Sequence, residues 1–498
     1  MPDKLTNSTS IDPMTGPIHL TIFHTNDMHG RLEAMARLSS FARRLREEAE
    51  AEGHCVHLWD AGDSTDPRVR LCRMSRGAAF SSIMNVMGYS LKTIGNVIPI
   101  TYGPQAIADI AAAADFPILA ANLRNGDKPL PEGLGEYELF PLSSRYTMGV
   151  IGLTSPWGGL YQNLGMHLPD YCEVARQLIG ELRSQGVSLV IVLSHLGLED
   201  DRRLAETVAG IDVIIGAHSH DLLPSGEICN NVLIAQAGQY AEALGRVDIS
   251  LNRDTGRLKS WTARVLEVPL DELPDPAVTA IIEYAEKGVT SRLSHVIGVL
   301  ALPLDLNHFR ECGLGNLAAD ALREHTSAEI AMVSSGLLRH DLQPADAVTL
   351  GQLEAACSTI VNPCLSKVRG EQLLQALERG LDSSVIASKH YLLQGNPMGI
   401  PQISGMQVTF DPQEPVGRRV KQVKVGVEPL EARREYLLAH TNVEVAPDVG
   451  YLLLEGSQRT FQEVPAVLLD VIESYIHRHS PLPQPARGRW LTATNLAA

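Results

Sequence analysis

The stretch HLTIFHTNDMHG, residues 19–30, changes character at its midpoint. Its first half is a short apolar, β-branched run of the kind that forms a strand buried on both faces. Its second half is a polar turn, Asn26-Asp27-Met28-His29-Gly30, in which Asp27 and His29 stand two residues apart. That spacing puts both side chains on one side of an extended segment. A buried strand opening into chemically active side chains points to an α/β sheet, where ligands gather beyond the carboxyl ends of the strands.

The pattern recurs along the first half of the chain, in CVHLWDAGD (55–63), LKTIGN (91–96), FPILAANL (116–123), MGVIGLTS (148–155), SLVIVLSHLG (188–197), IDVIIGAHSH (211–220), NVLIAQAG (231–238) and RVDISL (246–251). Between several of these lie stretches of helical period: MARLSSFARRLREEAEA (35–51), PQAIADIAAAA (104–114), VARQLIGELRSQG (174–186) and DDRRLAETVAG (200–210). Strands alternating with helices predict a sheet covered by helices. Near residue 265 the composition shifts to the proline-rich, acidic EVPLDELPDPAVT. A connecting helix within 273–296 follows, and a second α/β region runs from 297 to the C-terminus, so the first domain is expected over 18–272 after a lead-in of residues 1–17.

A chain of 498 residues exceeds one core and predicts two or three domains. Hydrophobic residues make up 44% and charged residues 20%, a globular composition. The net charge of −16 opposes non-specific binding to nucleic acid, which needs stripes of Lys and Arg. No apolar run reaches the ~18–20 residues that span a membrane, and the first residues lack a signal-peptide core, so a cytoplasmic protein is expected. The seven cysteines are scattered without a CxxC pair and read as reduced thiols.

Donors collect at five strand ends. Asp27 and His29 follow the first, Asp63 the second and Asn96 the third; His195 closes SLVIVLSH, and His218 and His220 close IDVIIGAHSH. Seven oxygen and nitrogen donors exceed what one divalent cation needs, whereas two cations sharing a carboxylate would use them all. Imidazole with carboxylate and one amide, without thiolate, suits Mn²⁺, Zn²⁺, Fe²⁺ or Co²⁺, with Mg²⁺ admissible, better than Ca²⁺. Two such ions about 3.5–4 Å apart activate a water and clamp a phosphoryl oxygen.

In this order and spacing, NDMHG, DAGD, GN, SHLG and GAHSH resemble the motifs of the calcineurin-like metallophosphoesterases, and within them the 5′-nucleotidases with a C-terminal domain. Leu314-Gly315-Asn316-Leu317-Ala318-Ala319-Asp320-Ala321 is similar to the opening motif of that domain. Ser335-Gly336-Leu337-Leu338-Arg339 is similar to its GGGIR turn, and Ile403–Met406 and Asp448–Tyr451 to later motifs; the likeness spans about residues 18–490. It implies a four-layer α-β-β-α sandwich followed by a smaller α/β C-terminal cap domain. It also implies that one metal takes Asp27, His29 and His220, that the other takes Asn96, His195 and His218, and that Asp63 bridges them. Asn96 and His195 are then also the residues nearest the chemistry, and Arg339 a substrate contact. The implied activity is metal-dependent hydrolysis of a nucleotide or another small phosphorylated metabolite.

The departures from the family pattern bear on that activity. The family writes GNHE; this chain writes Gly95-Asn96-Val97-Ile98-Pro99-Ile100, so the family's histidine donor is a valine. The enzyme is therefore expected to be slow, to favour good leaving groups, or to draw a histidine from elsewhere, with His308 and His340 as candidates. A degenerate member that binds without turnover, and a phosphodiesterase on the same metal pair, are the alternatives. In the cap, Thr441-Asn442-Val443-Glu444 has no aromatic where the family stacks a base, and Tyr451 is the nearest replacement. Arg68, Arg70, Arg73 and Arg76 are candidates for a phosphate approach, Arg43–Glu48 reads as a solvated helix face, and Trp59 reads as core. Asp60 is expected to buttress the site, His24 and His57 to hydrogen-bond behind it, and Gln236-Ala237-Gly238 to flank it.

Overall fold

The computed structural model describes residues 16–126, 131–157, 159–343, 347–453, 462–463 and 466–493. Of the expected lead-in, all but Gly16 and Pro17 lies outside the described residues.

Two sheets stack face to face in the first part of the chain. One has seven strands, in the order Leu258–Glu267, Ala243–Leu251, Ile18–Thr25, Cys55–Asp60, Leu91–Thr93, Ile118–Leu119 and Leu134–Gly135. The other has six, in the order Glu227–Cys229, Val232–Ala235, Val213–Ile215, Leu189–His195, Thr147–Thr154 and Tyr137–Pro141. Leu20, Ile22, Trp59 and Leu91 from the first sheet meet Val150, Ile191, Leu193 and Val213 from the second in a fully buried layer. Helices Leu32–Ala51 and Ala78–Met87 cover one outer face, and Tyr171–Ser184 and Leu198–Thr207 cover the other. With both faces of each sheet covered, the central strands must be apolar throughout, which is why they read as runs rather than alternations. This is the expected four-layer sandwich.

The central strands run parallel. Ile18–Thr25 pairs with Cys55–Asp60, and Leu189–His195 with both Thr147–Thr154 and Val213–Ile215. Thr25 lies opposite Asp60, so the turns NDMHG and AGD leave the sheet side by side. Parallel pairing thus brings polar turns far apart in sequence to one edge.

Some elements differ from the sequence reading. The segment 116–123 pairs only over Ile118–Leu119. Beyond it, the Asn122 side chain takes over from the ladder, donating to the Thr154 carbonyl and accepting from the Thr154 N–H, both at 2.8 Å. Helices Arg70–Ser75 and Ala78–Met87 were not among the expected helical stretches; Gly77, at φ 92°, divides the segment into pieces too short to show a clear period. Arg43–Glu48 is not simply a solvated face: Arg43 pairs with Asp275 at 2.7 Å and Arg44 with Glu272 at 3.2 Å. Asp275 also caps helix Pro276–Leu293 by accepting from Ala277 N–H, so these pairs anchor the connecting helix to the first domain.

The second part of the chain builds a five-stranded sheet, in the order Pro401–Ser404, Ile330–Ser334, Glu435–Thr441, Pro363–Arg369 and Gln462–Glu463. A four-stranded sheet, Glu428–Pro429, Val420–Val425, Met406–Phe410 and Trp490–Thr492, lies alongside. The polar residues of the GNLAADA stretch, on helix Gly313–His325, knit this region together. Asp320 accepts from Ser404 at 2.6 Å and from Arg489 at 2.7 Å. Among the described residues no helix is long and apolar enough to cross a membrane.

Candidate metal centre

Two clusters of ligand atoms form where the parallel strands end: Asp27, His29 and His220 in one, and Asp63, His195 and His218 in the other. In the first, the Nε2 atoms of His29 and His220 face each other at 3.1 Å, with Asp27 Oδ1 3.3 Å from His220 and 3.7 Å from His29. In the second, His195 Nε2 lies 3.1 Å from both Asp63 Oδ2 and Asn96 Oδ1. The structure therefore brings together all seven residues expected to ligate metal.

Local backbone shape makes this possible. Asp27, His29, Asp63, His218 and His220, five of the seven, have φ between 46° and 74°. Such left-handed residues are sparse outside glycine, cost on the order of 1–3 kcal/mol each, and cluster at functional sites. Gly62 and Gly95 are needed for close approach rather than for turns alone. A Cβ on Gly62 would stand 2.5 Å from His195 Nδ1, and one on Gly95 would stand 2.0 Å from Asp63 Oδ1.

The chain's own hydrogen bonds aim the ligand atoms. His195 Nδ1 lies 2.8 Å from the Ala61 carbonyl, which holds the proton on Nδ1 and leaves the Nε2 lone pair facing inward. Asp27 Oδ2 accepts from the His218 N–H at 2.8 Å and from the Asn26 amide at 2.9 Å. Asp27 Oδ1 is buried without an aligned donor, although buried oxygens are normally satisfied. Such an orphaned carboxylate oxygen among imidazole nitrogens suits a cation. Asn26 also ties this turn to the 236–238 turn, donating to Gly238 O at 2.5 Å and accepting from Ala237 N–H at 3.0 Å, so that turn flanks the edge as expected. Asp60 accepts from Thr25 at 2.8 Å and from Gly62 N–H at 3.2 Å, a buttress under both turns.

The electrostatics agree with the geometry. Burial pulls the Asp27 carboxyl upward, but the His220 contact, the His195 charge and the Asn26 amide outweigh it and hold it at about 2. Burial disfavours the His195 cation, yet Asp63 and Asp27 outweigh it and raise the imidazole to about 9. Burial and the His195 charge push His218 down to about 4. The Asp27 hydrogen bond also raises His220, so imidazoles drawn toward their charged form answer the field of the carboxylates, the field a divalent cation would neutralise. The donor set and its orientation fit divalent metal binding.

Other expectations need correcting. His24 and His57 make no hydrogen bond to a candidate ligand among the described residues: His24 is buried with Nδ1 unpaired, and His57 packs on Trp59 and Phe140. Of the four arginines after Asp63, only Arg68 lines the cavity above the centre, forked onto Asp66 at 2.6–3.0 Å. Arg73 and Arg70 pair with the buried Glu354, and Arg76 with Asp470 at 3.0 Å; these join the two parts of the chain. Val443 and Tyr451 are fully buried, and the Tyr451 hydroxyl donates to Gly399 O at 2.6 Å, so neither offers a face to a base.

The cavity has a volume of about 710 Å³, within the usual range for small-molecule sites. His29, Val97, Ile100 and Trp157 from the first domain face His390, Tyr391 and Asn442 from the cap. Arg339, His308 and His340 do not line it; they share a second, more open cavity of about 630 Å³. That placement separates the expected substrate arginine and both expected replacement histidines from the metal edge. The sequence reading missed Trp157 and His390. Trp157 follows a strand end as the ligands do, and its indole donates to His218 Nε2 at 2.9 Å. His390 has no local motif to mark it.

Comparison with known proteins follows the same lines. Residues 294–451 match the family model described as 5′-nucleotidase, C-terminal domain. An uncharacterized metallophosphoesterase of Bacillus subtilis, YunD, is 26% identical over 91% of this chain and 98% of its own. A 5′-nucleotidase of Diplobatis ommata is 25% identical over 97% of this chain and 91% of its own. The chain is thus similar over most of its length to proteins named as a metallophosphoesterase and a 5′-nucleotidase. Among solved structures, the NAD nucleotidase of Haemophilus influenzae aligns with a TM-score of 0.64 over 96% of this chain and 99% of that one at 15% identity, which concerns the fold.

Proposed function

We propose that this protein is a dinuclear-metal phosphohydrolase of the 5′-nucleotidase type, acting on a nucleotide or another small phosphorylated metabolite. The observation that carries this reading is the convergence of Asp27, His29 and His220 beside Asp63, Asn96, His195 and His218, with Asp27 Oδ1 left for a cation. Asp27, His29 and His220 would hold one ion, Asn96, His195 and His218 the other, and Asp63 would bridge them. Two divalent cations at such a site supply charge for the phosphoryl oxygens and a water activated for attack. The chain fixes that chemistry in place: Ala61 and Asn26 orient the ligands, and the apolar side chains of Val97 and Ile100 line the cavity beside them. The cavity leaves room for the leaving group between the metal edge and the cap.

The test is turnover of an aryl phosphate with added Mn²⁺ by the wild type and by Asp63→Ala. Metal-dependent hydrolysis lost in the variant supports the proposal. One observation favours a second reading, binding without turnover: Val97 occupies the donor position. Retention of Mn²⁺ by the wild type with no hydrolysis of any phosphate ester would select that reading.

A further inference from the structure

We propose that His390, on the cap, supplies the hydrogen bond to the leaving-group oxygen that Val97 cannot; this rests on the phosphohydrolase reading above. Val97 lines the cavity at the metal edge and offers only methyl groups. Among the described residues lining the cavity, the imidazoles are His29 and His390. His29 belongs to the metal cluster. Asp66 has both of its oxygens engaged by Arg68, whose side chain donates to each while the Arg68 N–H donates at 2.8 Å. The same fork occupies Arg68. His390 is the imidazole that remains.

Its local structure sets its form. His390 precedes the turn Tyr391–Leu393, and its Nδ1 accepts from the Leu392 N–H at 3.3 Å. With Nδ1 an acceptor, the neutral ring carries its proton on Nε2, so it is a donor without first becoming a cation. The ring leans on Tyr391, with centroids 4.3 Å apart, which restricts its rotation. The phosphoryl group belongs at the metal edge of the first domain, so the leaving group extends toward the cap, where His390 stands. In the step, the bond from phosphorus to the leaving oxygen breaks as a water oxygen bonds to phosphorus. The leaving oxygen takes the electron pair while accepting the Nε2–H hydrogen bond, and the proton released by the water reaches it through solvent. His390 keeps its own proton throughout.

A donor to the leaving oxygen matters most when that oxygen is a poor leaving group. The experiment compares wild type, His390→Ala and His390→Gln on glycerol 2-phosphate and on p-nitrophenyl phosphate with Mn²⁺. We expect His390→Ala to lose about 10²-fold in kcat on the alkyl ester, the usual effect of removing one such donor, and no more than a few-fold on the aryl ester. His390→Gln, whose amide also donates, recovers most of the alkyl activity. Equal losses on both esters, or none on either, with wild-type turnover intact, overturn the role of His390 and leave the proposed function standing. Absence of metal-dependent turnover of both esters by the wild type overturns both. A melting temperature unchanged by either substitution shows that the effects are not those of misfolding.

Discussion

Asp27 shows how one residue carries several constraints. Its backbone sits at φ 50°, one oxygen is fixed by Asn26 and the His218 N–H, and the other is left among imidazoles. The motif NDMHG announces this residue in the sequence because each of its polar members has a role a turn alone would not need. His390 has no such marker, since its relevance comes from a cavity formed by segments nearly 300 residues away in sequence from Val97. Arg339 carries the reverse lesson: its motif is legible, yet it stands beside His308 and His340 in the other cavity. Val97 and His390 face the same space, so their effects should not be additive. Val97→His is expected to restore at least tenfold in kcat on an alkyl ester in the His390→Ala background, and to add less in the wild type. A tenfold gain in the wild type, with His390→Ala harmless, would mean that the missing donor is not replaced.

At the scale of elements, strands that end at the metal edge were legible because burial on both faces leaves one apolar signature and their turns are polar. The short helices Arg70–Ser75 and Val97–Tyr102 were not, since six residues hold less than two turns of period. Strand Leu189–His195 also depends on support behind it. Asp201, on the following helix, is fully buried and accepts from Ser194 Oγ at 2.5 Å, while its other oxygen has no partner. Burial raises this carboxyl to about 7, outweighing the Ser194 hydrogen bond. A folded-state value above the unfolded one means that the folded chain holds the proton more tightly, so stability falls as pH rises from about 4 to about 7, by up to ~1.4 kcal/mol per pH unit. Asp201→Asn keeps a carbonyl for Ser194 and cannot ionise. Its melting temperature relative to wild type is expected to rise between pH 4 and pH 8; an unchanged difference would show that Asp201 does not titrate in this range.

Over the whole molecule, the two parts of the chain share one continuous buried apolar cluster, and buried polar contacts cross between them beside it. Arg73 and Glu354 are both nearly buried, and Asn362 donates to Thr101 O at 2.7 Å from the cap. Breaking a buried pair by removing one partner is costly, which favours a defined docking of the cap over the metal edge. The proline-rich stretch near 265 pointed to a two-part organisation, while the pairing of the halves was not readable, because ion pairs such as Arg76 with Asp470 join residues that no local pattern relates. The central claim is that seven side chains spread from Asp27 to His220 enclose two cations. Anomalous diffraction from crystals soaked in Mn²⁺ tests it most directly. The account predicts two peaks about 3.5–4 Å apart, one against Asp27, His29 and His220 and one against Asn96, His195 and His218, with Asp63 between them. No peak there, or a single ion, would contradict it.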